Sequence, residues 1–228
     1  MSHLSIFDIA GPIMVGPSSS HTAGACKIGQ FARALYHKTP KKVTFYLHGS
    51  FGEVFKGHAT DRALLGGVMK FKTSDPHIKD SFEIANKKGI KYQFIKKDLG
   101  EEWHPNTVKI VLEDGKYKMS VIGSSIGGGM IEILQIDNFK VKIKGRAGRY
   151  LSLVVCYEKN HKLLEKLEKA IKSFGINIAE VESVSYKDET LSVISLDGRR
   201  ILLPEVLELE KIPGVVFVRA LSKLQKQQ

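Results

Sequence analysis

Cysteine is nearly absent from this sequence: Cys26 and Cys156 are the only two in 228 residues, and they fall in different halves of the chain. Two thiols cannot build a disulfide framework, and these two lack the C-x-x-C spacing of a zinc or redox site. They are also too few to provide the thiolate ligands of an iron–sulfur cluster. We therefore expect no metal site and no disulfide scaffold within this chain.

Long apolar runs are also missing, since none approaches the roughly 20 residues that a membrane-spanning helix needs. The first residues, MSHLSIFDIAGP, lack the basic, apolar and small-residue regions of a secretory signal. With 43% hydrophobic and 26% charged residues, the composition is that of a globular protein. We expect a cytoplasmic protein with no membrane partner.

Arginine is scarce as well: the 35 basic residues behind the formal charge of +11 are 28 lysines and seven arginines, spread along the chain. Proteins that read nucleic acids rely on arginine for bidentate base contacts and cluster their charge on one element. A dispersed excess of lysine is more typical of a solvated surface, or of one that meets an acidic partner subunit. No nucleic-acid partner is predicted.

Two domains are predicted, with the boundary at residues 145–149, a polar segment with two glycines. Upstream, the patterns predict helices and strands: helices over 22–36, 60–70 and 76–88, and strands over 43–47, 107–113, 116–123, 130–136 and 139–144. Residues 1–146 should therefore form an α+β domain with a largely antiparallel sheet.

The downstream half is predicted to be smaller and regular. Its elements alternate in the order βαββαβ: a strand at 151–157, a helix at 161–173, strands at 176–186 and 190–196, a helix at 204–210 and a strand at 215–221. This order is the ferredoxin-like arrangement, expected over residues 150–224. Residues 223–228 are predicted to be a polar tail.

A serine-rich loop, residues 17–24, runs into the first predicted helix. Ser18, Ser19, Ser20 and Thr22 offer hydroxyl groups there, and the free N–H groups of a first helical turn add further donors. Together they form an anion site that suits a carboxylate or a phosphate. The alternative is that Ser20 only caps the helix and the other serines fill the loop. His21 in the same loop favours a functional site.

A second polar segment combines residues 48–50 with residues 56–61. Its glycines allow close approach of the backbone to a ligand. His58 precedes a predicted helix N-terminus, a setting that disfavours imidazolium and suits a neutral general base. A glycine-flanked turn with a surface histidine is the alternative.

Two more segments complete the set. Pro105 fixes a turn that presents the amide of Asn106. Gly127 and Gly128 lie in residues 124–129, where three consecutive glycines permit a nest of backbone N–H groups for an anion. Alone, each is as well explained by an ordinary turn or hinge. Together, the four segments predict one polar site built from loops on a common sheet.

The series of segments resembles that of the iron–sulfur-dependent L-serine dehydratases. The hallmark P-S-S-S-H-T-x-G occupies residues 17–24, and the matching segments that follow in order are 49–50, 56–61, 104–106 and 126–129. The resemblance covers the whole first domain. The second domain is similar to an ACT domain, so the chain resembles the beta subunit of the two-chain form of that family.

The resemblance implies conversion of L-serine to pyruvate and ammonia together with an alpha subunit. In the family that alpha subunit carries three cysteines and a [4Fe–4S] cluster, whose incompletely ligated iron acts as a Lewis acid. No pyridoxal phosphate is implied. By position, His58 is the general base or its close helper, and His21 orients the substrate or shuttles the proton. The implied substrate-binding residues are Ser18, Ser19, Ser20, Thr22, Ser50, Asn106, Gly127 and Gly128.

A regulatory interpretation stays open, because domains like the first half also resemble the allosteric substrate-binding domain of some phosphoglycerate dehydrogenases. The chain would then be a non-catalytic amino-acid-sensing subunit that binds serine as an effector. ACT domains that bind amino acids usually carry proline and glycine after their first strand, whereas residues 158–161 carry neither. The second domain is therefore expected to mediate assembly, including contacts between beta chains, rather than to bind serine.

Overall fold

A computed structural model describes residues 14–144 and 151–221. The chain divides into two compact units, one comprising residues 1–137 and 141–146 and the other residues 138–140 and 147–228. The predicted boundary segment at 145–149 and the predicted tail at 223–228 lie outside the described residues. Among the residues described, no helix is both long and apolar enough to cross a membrane.

The first unit is built on a six-stranded sheet in the order β2-β1-β3-β4-β5-β6. The strands are β1 (Lys42–Leu47), β2 (Lys91–Lys96), β3 (Thr107–Glu113), β4 (Lys118–Gly127), β5 (Met130–Ile136) and β6 (Phe139–Lys144). β1 and β2 run parallel, whereas the pairs β1–β3, β3–β4 and β4–β5 are antiparallel. The predicted α+β class with a largely antiparallel sheet is confirmed.

The helices of this unit begin with a π-helical turn that continues directly into the first α-helix. They are the π-helical turn Ser19–Gly24, α1 (Ala25–Tyr36), α2 (Gly49–Val54), α3 (Thr60–Val68), a 3-10 turn Pro76–Asp80 and α4 (Ser81–Lys87). The predicted apolar face of α1 is confirmed, since Ile28, Phe31, Ala32 and Leu35 are all buried. Burying the three large side chains of this set, Ile28, Phe31 and Leu35, stabilises the fold by about 1.5–3 kcal/mol each.

Helices α1 and α3 approach each other closely at Gly29 and Gly67. A Cβ atom at Gly29 would overlap Leu64 O, and one at Gly67 would overlap Cys26 O, so any side chain there would force the helices apart. Because α1 follows the loop that carries His21, and α3 follows the loop that carries His58, this packing sets the distance between the two loops.

The second unit contains β7 (Leu151–Glu158), α5 (His161–Ser173), β8 (Asn177–Tyr186), β9 (Glu189–Asp197), α6 (Leu203–Glu210) and β10 (Val215–Leu221). Its sheet has the order β10-β7-β9-β8, with antiparallel pairs throughout. The predicted ferredoxin-like βαββαβ fold is confirmed. Asn160 caps α5, since its Oδ1 accepts from the N–H of Lys162 at 3.0 Å.

Two elements of the first unit were not predicted from the sequence, and a third was predicted too short. Strand β2 is an edge strand whose side chains are mostly exposed, so its apolar pattern is weak. Helix α2 spans six residues, too few for a helical period to show. β4 runs four residues beyond the predicted end at Gly123, because Ser124 and Ser125 pair with Glu132 and Ile131 of β5.

Candidate active site

The serine-rich loop forms the N-terminus of the π-helical turn. Ser18 caps the turn: its Oγ accepts from the N–H of His21 at 3.1 Å, and its carbonyl accepts from the N–H of Thr22 at 2.9 Å. The interpretation of Ser20 as the cap is therefore wrong, because the helical structure begins at Ser19 and not at Thr22. Ser19 and Ser20 are half-buried and lie in the first turn. π-Helical turns are rare and are frequently found at functional sites.

His21 lies against the other predicted histidine. The two rings of His21 and His58 are 5.1 Å apart at their centroids, with a tilt of 40°. His21 Nε2 lies 3.0 Å from Ser50 Oγ, and its ring meets the edge of Phe51 at 5.3 Å. Burial, and then the charge of His58, lower the pKa of His21. His21 is therefore a neutral imidazole near pH 7, able to exchange a proton with Ser50.

Thr22 ties the π-helical turn to the loop that carries His58. It is fully buried, and its hydroxyl donates to the carbonyl of His58 at 3.1 Å. The structure thus gives this hydroxyl a partner within the chain. Its predicted contact with a substrate carboxylate stays a prediction.

His58 lies one residue before the N-cap of α3, at Ala59, as the sequence pattern indicated. Its ring Nδ1 is 3.4 Å from the carbonyl of Val54. A carbonyl only accepts hydrogen bonds, so this contact favours the tautomer with the proton on Nδ1. In that tautomer Nε2 carries the free lone pair, which is the arrangement that a general base requires.

Ala59 holds a left-handed backbone conformation, with φ 55° and ψ 27°. For a residue with a Cβ atom this conformation costs roughly 1–2 kcal/mol. Such strain persists where the surrounding structure imposes it, and it is found preferentially at functional sites. Here the Thr22–His58 hydrogen bond and the start of α3 hold the residues on both sides.

Replacing Ala59 by glycine should release this strain and raise the free energy of unfolding by up to about 1 kcal/mol. Urea unfolding of the full chain measures the effect. Ala63→Gly is the matched control, because Ala63 lies inside α3 and is fully buried; it should destabilise by about 1 kcal/mol or more. If both variants lower the free energy of unfolding by the same amount, the left-handed backbone of Ala59 does not cost the protein stability.

The 104–106 turn is held between α2 and β4. The carbonyl of Pro105 accepts from the N–H of Phe51 at 3.3 Å, and the carbonyl of Asn106 accepts from the N–H of Ser125 at 2.9 Å. Gly49 has φ 51°, and a Cβ atom there would lie 2.8 Å from Pro105 Cα and O. Glycine is therefore required where the two loops touch. His104 completes the turn, since its Nδ1 accepts from the N–H of Asn106 at 3.0 Å.

The glycine run closes the hairpin between β4 and β5. Gly127, Gly128 and Gly129 all have left-handed backbones, with φ of 105°, 59° and 75°. The carbonyl of Gly129 accepts from Lys27 Nζ at 2.7 Å. The turn is thus fastened to α1, the helix that continues the serine-rich loop.

The structure therefore brings the four predicted segments together around one end of the sheet. Ser50 and His58 contact the ring of His21, and the hydroxyl of the neighbouring Thr22 donates to the carbonyl of His58. In the part of the chain that is described, Asn106, Gly127 and Gly128 make no hydrogen bond to either histidine. They lie near the two histidines because they are attached to β4: the carbonyl of Asn106 accepts from the N–H of Ser125, and the glycine turn follows the end of that strand.

Two residues of this region were missed by the sequence reasoning, Lys27 and Ser125. Ser125 Oγ is fully buried and has no hydrogen-bond partner among the described residues. It faces the π-helical turn, since a Cβ atom at Gly24 would overlap it. Ser125 lies within the predicted segment 124–129, so the sequence held a signal for it. Lys27 lies in a helix, outside every polar loop, and no signal marked it.

The two cysteines are not placed to bind an iron–sulfur cluster. Cys26 is buried, its thiol donates to the carbonyl of Phe71 at 3.4 Å, and burial together with Asp75 raises its pKa to about 12. Cys156 is buried in the second unit. Within the described ranges, no group of three or more His, Cys, Asp or Glu side chains is arranged to hold a metal ion.

Fold and site together define an α+β protein of two compact units, the first of which carries a histidine pair beside a serine-rich helix N-terminus. Residues 5–135 match the family model for the serine dehydratase beta chain. The chain is 35% identical over 223 residues to the probable L-serine dehydratase, beta chain, of Bacillus subtilis (strain 168), covering 97% of this chain and all (100%) of that protein. This chain belongs to the serine dehydratase beta chain family.

Two further relatives differ in how much of their length is matched. The L-serine dehydratase, beta chain, of Peptoniphilus asaccharolyticus is 42% identical over 196 residues, which cover 85% of each chain. The L-serine dehydratase of Helicobacter pylori (strain J99 / ATCC 700824) is 28% identical over 221 residues, covering 85% of this chain but 46% of that protein. Among solved structures, the ACT domain from the GTP pyrophosphokinase of Chlorobium tepidum aligns with a TM-score of 0.28 and 16% identity, over 32% of this chain and 96% of that one.

Proposed function

We propose that this chain provides the acid–base and substrate-binding half of the active site of a cytoplasmic L-serine dehydratase, an ammonia-lyase that converts L-serine to pyruvate and ammonia. The observation that carries the proposal is the His21–His58 pair, 5.1 Å apart, beside the N-terminus of the π-helical turn. Dehydration of an amino acid needs a base for the α-proton and donors for the carboxylate, and this site offers both.

The carboxylate of L-serine would bind at the serine-rich loop. Ser19 and Ser20 lie in the first turn, where backbone N–H groups without helical partners favour an anion. The Ser18 oxygen already accepts from the N–H of His21, which leaves its own proton available as a donor. Asn106 and the turn at Gly127 and Gly128 would bound the site on the side of β4.

His58 would remove the α-proton through Nε2, since its Nδ1 faces the carbonyl of Val54. His21 would pass that proton on through Ser50, which lies 3.0 Å from its Nε2. Positioned acid–base catalysis of this kind contributes about 10²–10⁴-fold in rate. The proposed reaction uses neither a lysine Schiff base nor pyridoxal phosphate.

An alpha subunit would complete the site and carry a [4Fe–4S] cluster, since the cysteines of this chain do not fit one. When bound, that cluster would supply the Lewis acid for the leaving hydroxyl. The comparison with the Helicobacter pylori L-serine dehydratase supports a partner subunit, because this chain matches only 46% of the length of that protein. Exposed apolar side chains beside the glycine turn, Ile126 at 37% and Met130 at 41%, support a partner chain docking there.

Ile126→Glu should weaken assembly with the alpha subunit by at least about 10-fold, because it places a charge at a desolvated contact. The matched control is Ile95→Glu, which should leave assembly unchanged. Ile95 is 36% exposed on edge strand β2, three strands away in the sheet order from β4, which carries Ile126. Anaerobic size-exclusion chromatography of the mixed subunits measures both. If the two variants assemble equally well with the alpha subunit, the glycine turn is not part of the interface.

The second unit is proposed to join two beta chains. Its helix α6 and the start of β10 expose apolar side chains, of which Leu203 is 62% and Val216 54% exposed. The segment that precedes α5 forms an asparagine cap, where amino-acid-binding ACT domains carry proline and glycine. This favours assembly over ligand binding for the second unit.

Anaerobic co-expression with an alpha chain, followed by a pyruvate assay with L-serine, tests the proposed function. Serine-dependent pyruvate formation that requires both chains is the expected result. Full activity of the alpha chain without this one would contradict a catalytic role for it.

A further inference from the structure

Lys27 places a half-buried ammonium group at the glycine turn, with no acidic partner among the described residues. Its Nζ donates to the carbonyl of Gly129 at 2.7 Å. None of the ion pairs formed by the described residues involves Lys27. Burial lowers its pKa, with only the neighbouring Cys26 thiol acting in the opposite direction. An anion that binds beside such a cation favours its charged form.

The position of Lys27 in its helix leads us to expect its ammonium on the side of the serine-rich loop. Side chains of an α-helix lean toward its N-terminus, and Lys27 lies in the first turn of α1, directly after the π-helical turn. Its partner, Gly129, belongs to the hairpin turn at the end of β4. The N-terminus of the π-helical turn therefore lies at the same end of the sheet as the glycine turn and the Lys27 ammonium.

Ser125 supplies a second, independent sign of a ligand. Its hydroxyl oxygen is fully buried, has no hydrogen-bond partner among the described residues and faces the π-helical turn at Gly24. Native structures leave few buried hydroxyls unpaired, because the loss of hydration is not compensated. A carboxylate oxygen bound at this turn would give the hydroxyl an acceptor.

We propose that Lys27 is the counter-charge for the substrate carboxylate, and that the Ser125 hydroxyl is a further donor in the same anion site. The inference rests on the proposed function, which it deepens: it assigns the charge of the substrate carboxylate to Lys27, a residue outside the serine-rich loop. A purely structural role for Lys27, that of fastening the glycine turn to α1, is the competing explanation.

The test compares two probes that the enzyme cannot dehydrate, L-alanine and L-alaninamide, which differ in the carboxylate charge. Calorimetry is performed on the full chain, alone and with its partner. Lys27→Gln should weaken L-alanine binding about 10- to 100-fold, the loss expected for a charge-assisted hydrogen bond, and leave L-alaninamide binding unchanged. Lys27→Arg should retain most of the L-alanine affinity, and Ser125→Ala should weaken it by several-fold.

Lys88→Gln is the matched control, since Lys88 is an exposed lysine of the same unit at the end of α4, and it should change neither probe. Equal weakening of both probes by Lys27→Gln would assign Lys27 to the glycine turn alone and overturn the inference. Unchanged L-alanine affinity, or no binding of L-alanine by the wild-type chain, would overturn it as well.

The pyruvate assay separates this inference from the proposed function. Assembled wild-type protein that makes no pyruvate defeats the proposed function, whereas the contrast between L-alanine and L-alaninamide still decides the role of Lys27. If the wild-type assembly forms pyruvate normally but Lys27→Gln weakens the binding of both probes equally, only the inference is defeated.

Discussion

Replacing His58 by alanine is expected to lower kcat by roughly 10²–10⁴-fold in the assembled enzyme, with little change in the KM for L-serine. The reason is geometric: the contact between Nδ1 and the Val54 carbonyl leaves Nε2 as the acceptor for the α-proton. Alanine removes the base, while the serine-rich loop still holds the carboxylate. Steady-state kinetics with L-serine, under anaerobic conditions, measures the effect.

The serine variants should show the opposite pattern. Ser19→Ala or Ser20→Ala is expected mainly to raise KM, because a carboxylate contact is present in both the ground state and the transition state. His77→Ala is the matched histidine control, since His77 is exposed and bonds Asp75, outside the four segments. It should leave kcat and KM unchanged.

These variants also distinguish catalysis from regulation. If this chain only senses serine as an effector, His58→Ala shifts the cooperativity of serine saturation and leaves the maximal rate near that of the wild type. An unchanged kcat for His58→Ala therefore rules out its role as the base.

The isolated chain, reconstituted anaerobically with iron and sulfide, should develop neither a broad absorption band near ~400 nm nor serine deaminase activity. Its two cysteines are buried in different units, and the Cys26 thiol already donates to the Phe71 carbonyl. A thiol whose pKa is raised to about 12 by burial is a poor thiolate ligand.

A control for this experiment uses the cysteines themselves. Cys26→Ala in the assembled enzyme should keep both the absorption band and the activity, since the cluster is proposed to lie on the alpha subunit. Serine turnover by the pure single chain, or loss of the band in Cys26→Ala, would contradict the two-subunit interpretation.

Sequence reasoning identified the elements whose patterns are long and periodic. The buried face of α1 and the βαββαβ order of the second unit were predicted correctly, because each depends on local repetition of apolar residues. Strand β2 and helix α2 were missed, since an exposed edge strand and a six-residue helix carry little periodic signal. The end of β4 was also missed, because serines and glycines are poor strand formers and only their pairing with β5 holds them in the sheet.

The sequence by itself determined the family signal and the polar segments that would carry chemistry, because residue types and their order along the chain are enough for both. Only the tertiary structure decided which of these groups touch. The close packing of α1 on α3 at Gly29 and Gly67 brings His21 to His58, and the pairing of β4 with β3 and β5 turns Ser125 toward the π-helical turn. Contacts of this kind join residues distant along the chain. The partner of Lys27 and the burial of Ser125 against Gly24 therefore depend on packing and strand register, which a local pattern of residues does not show.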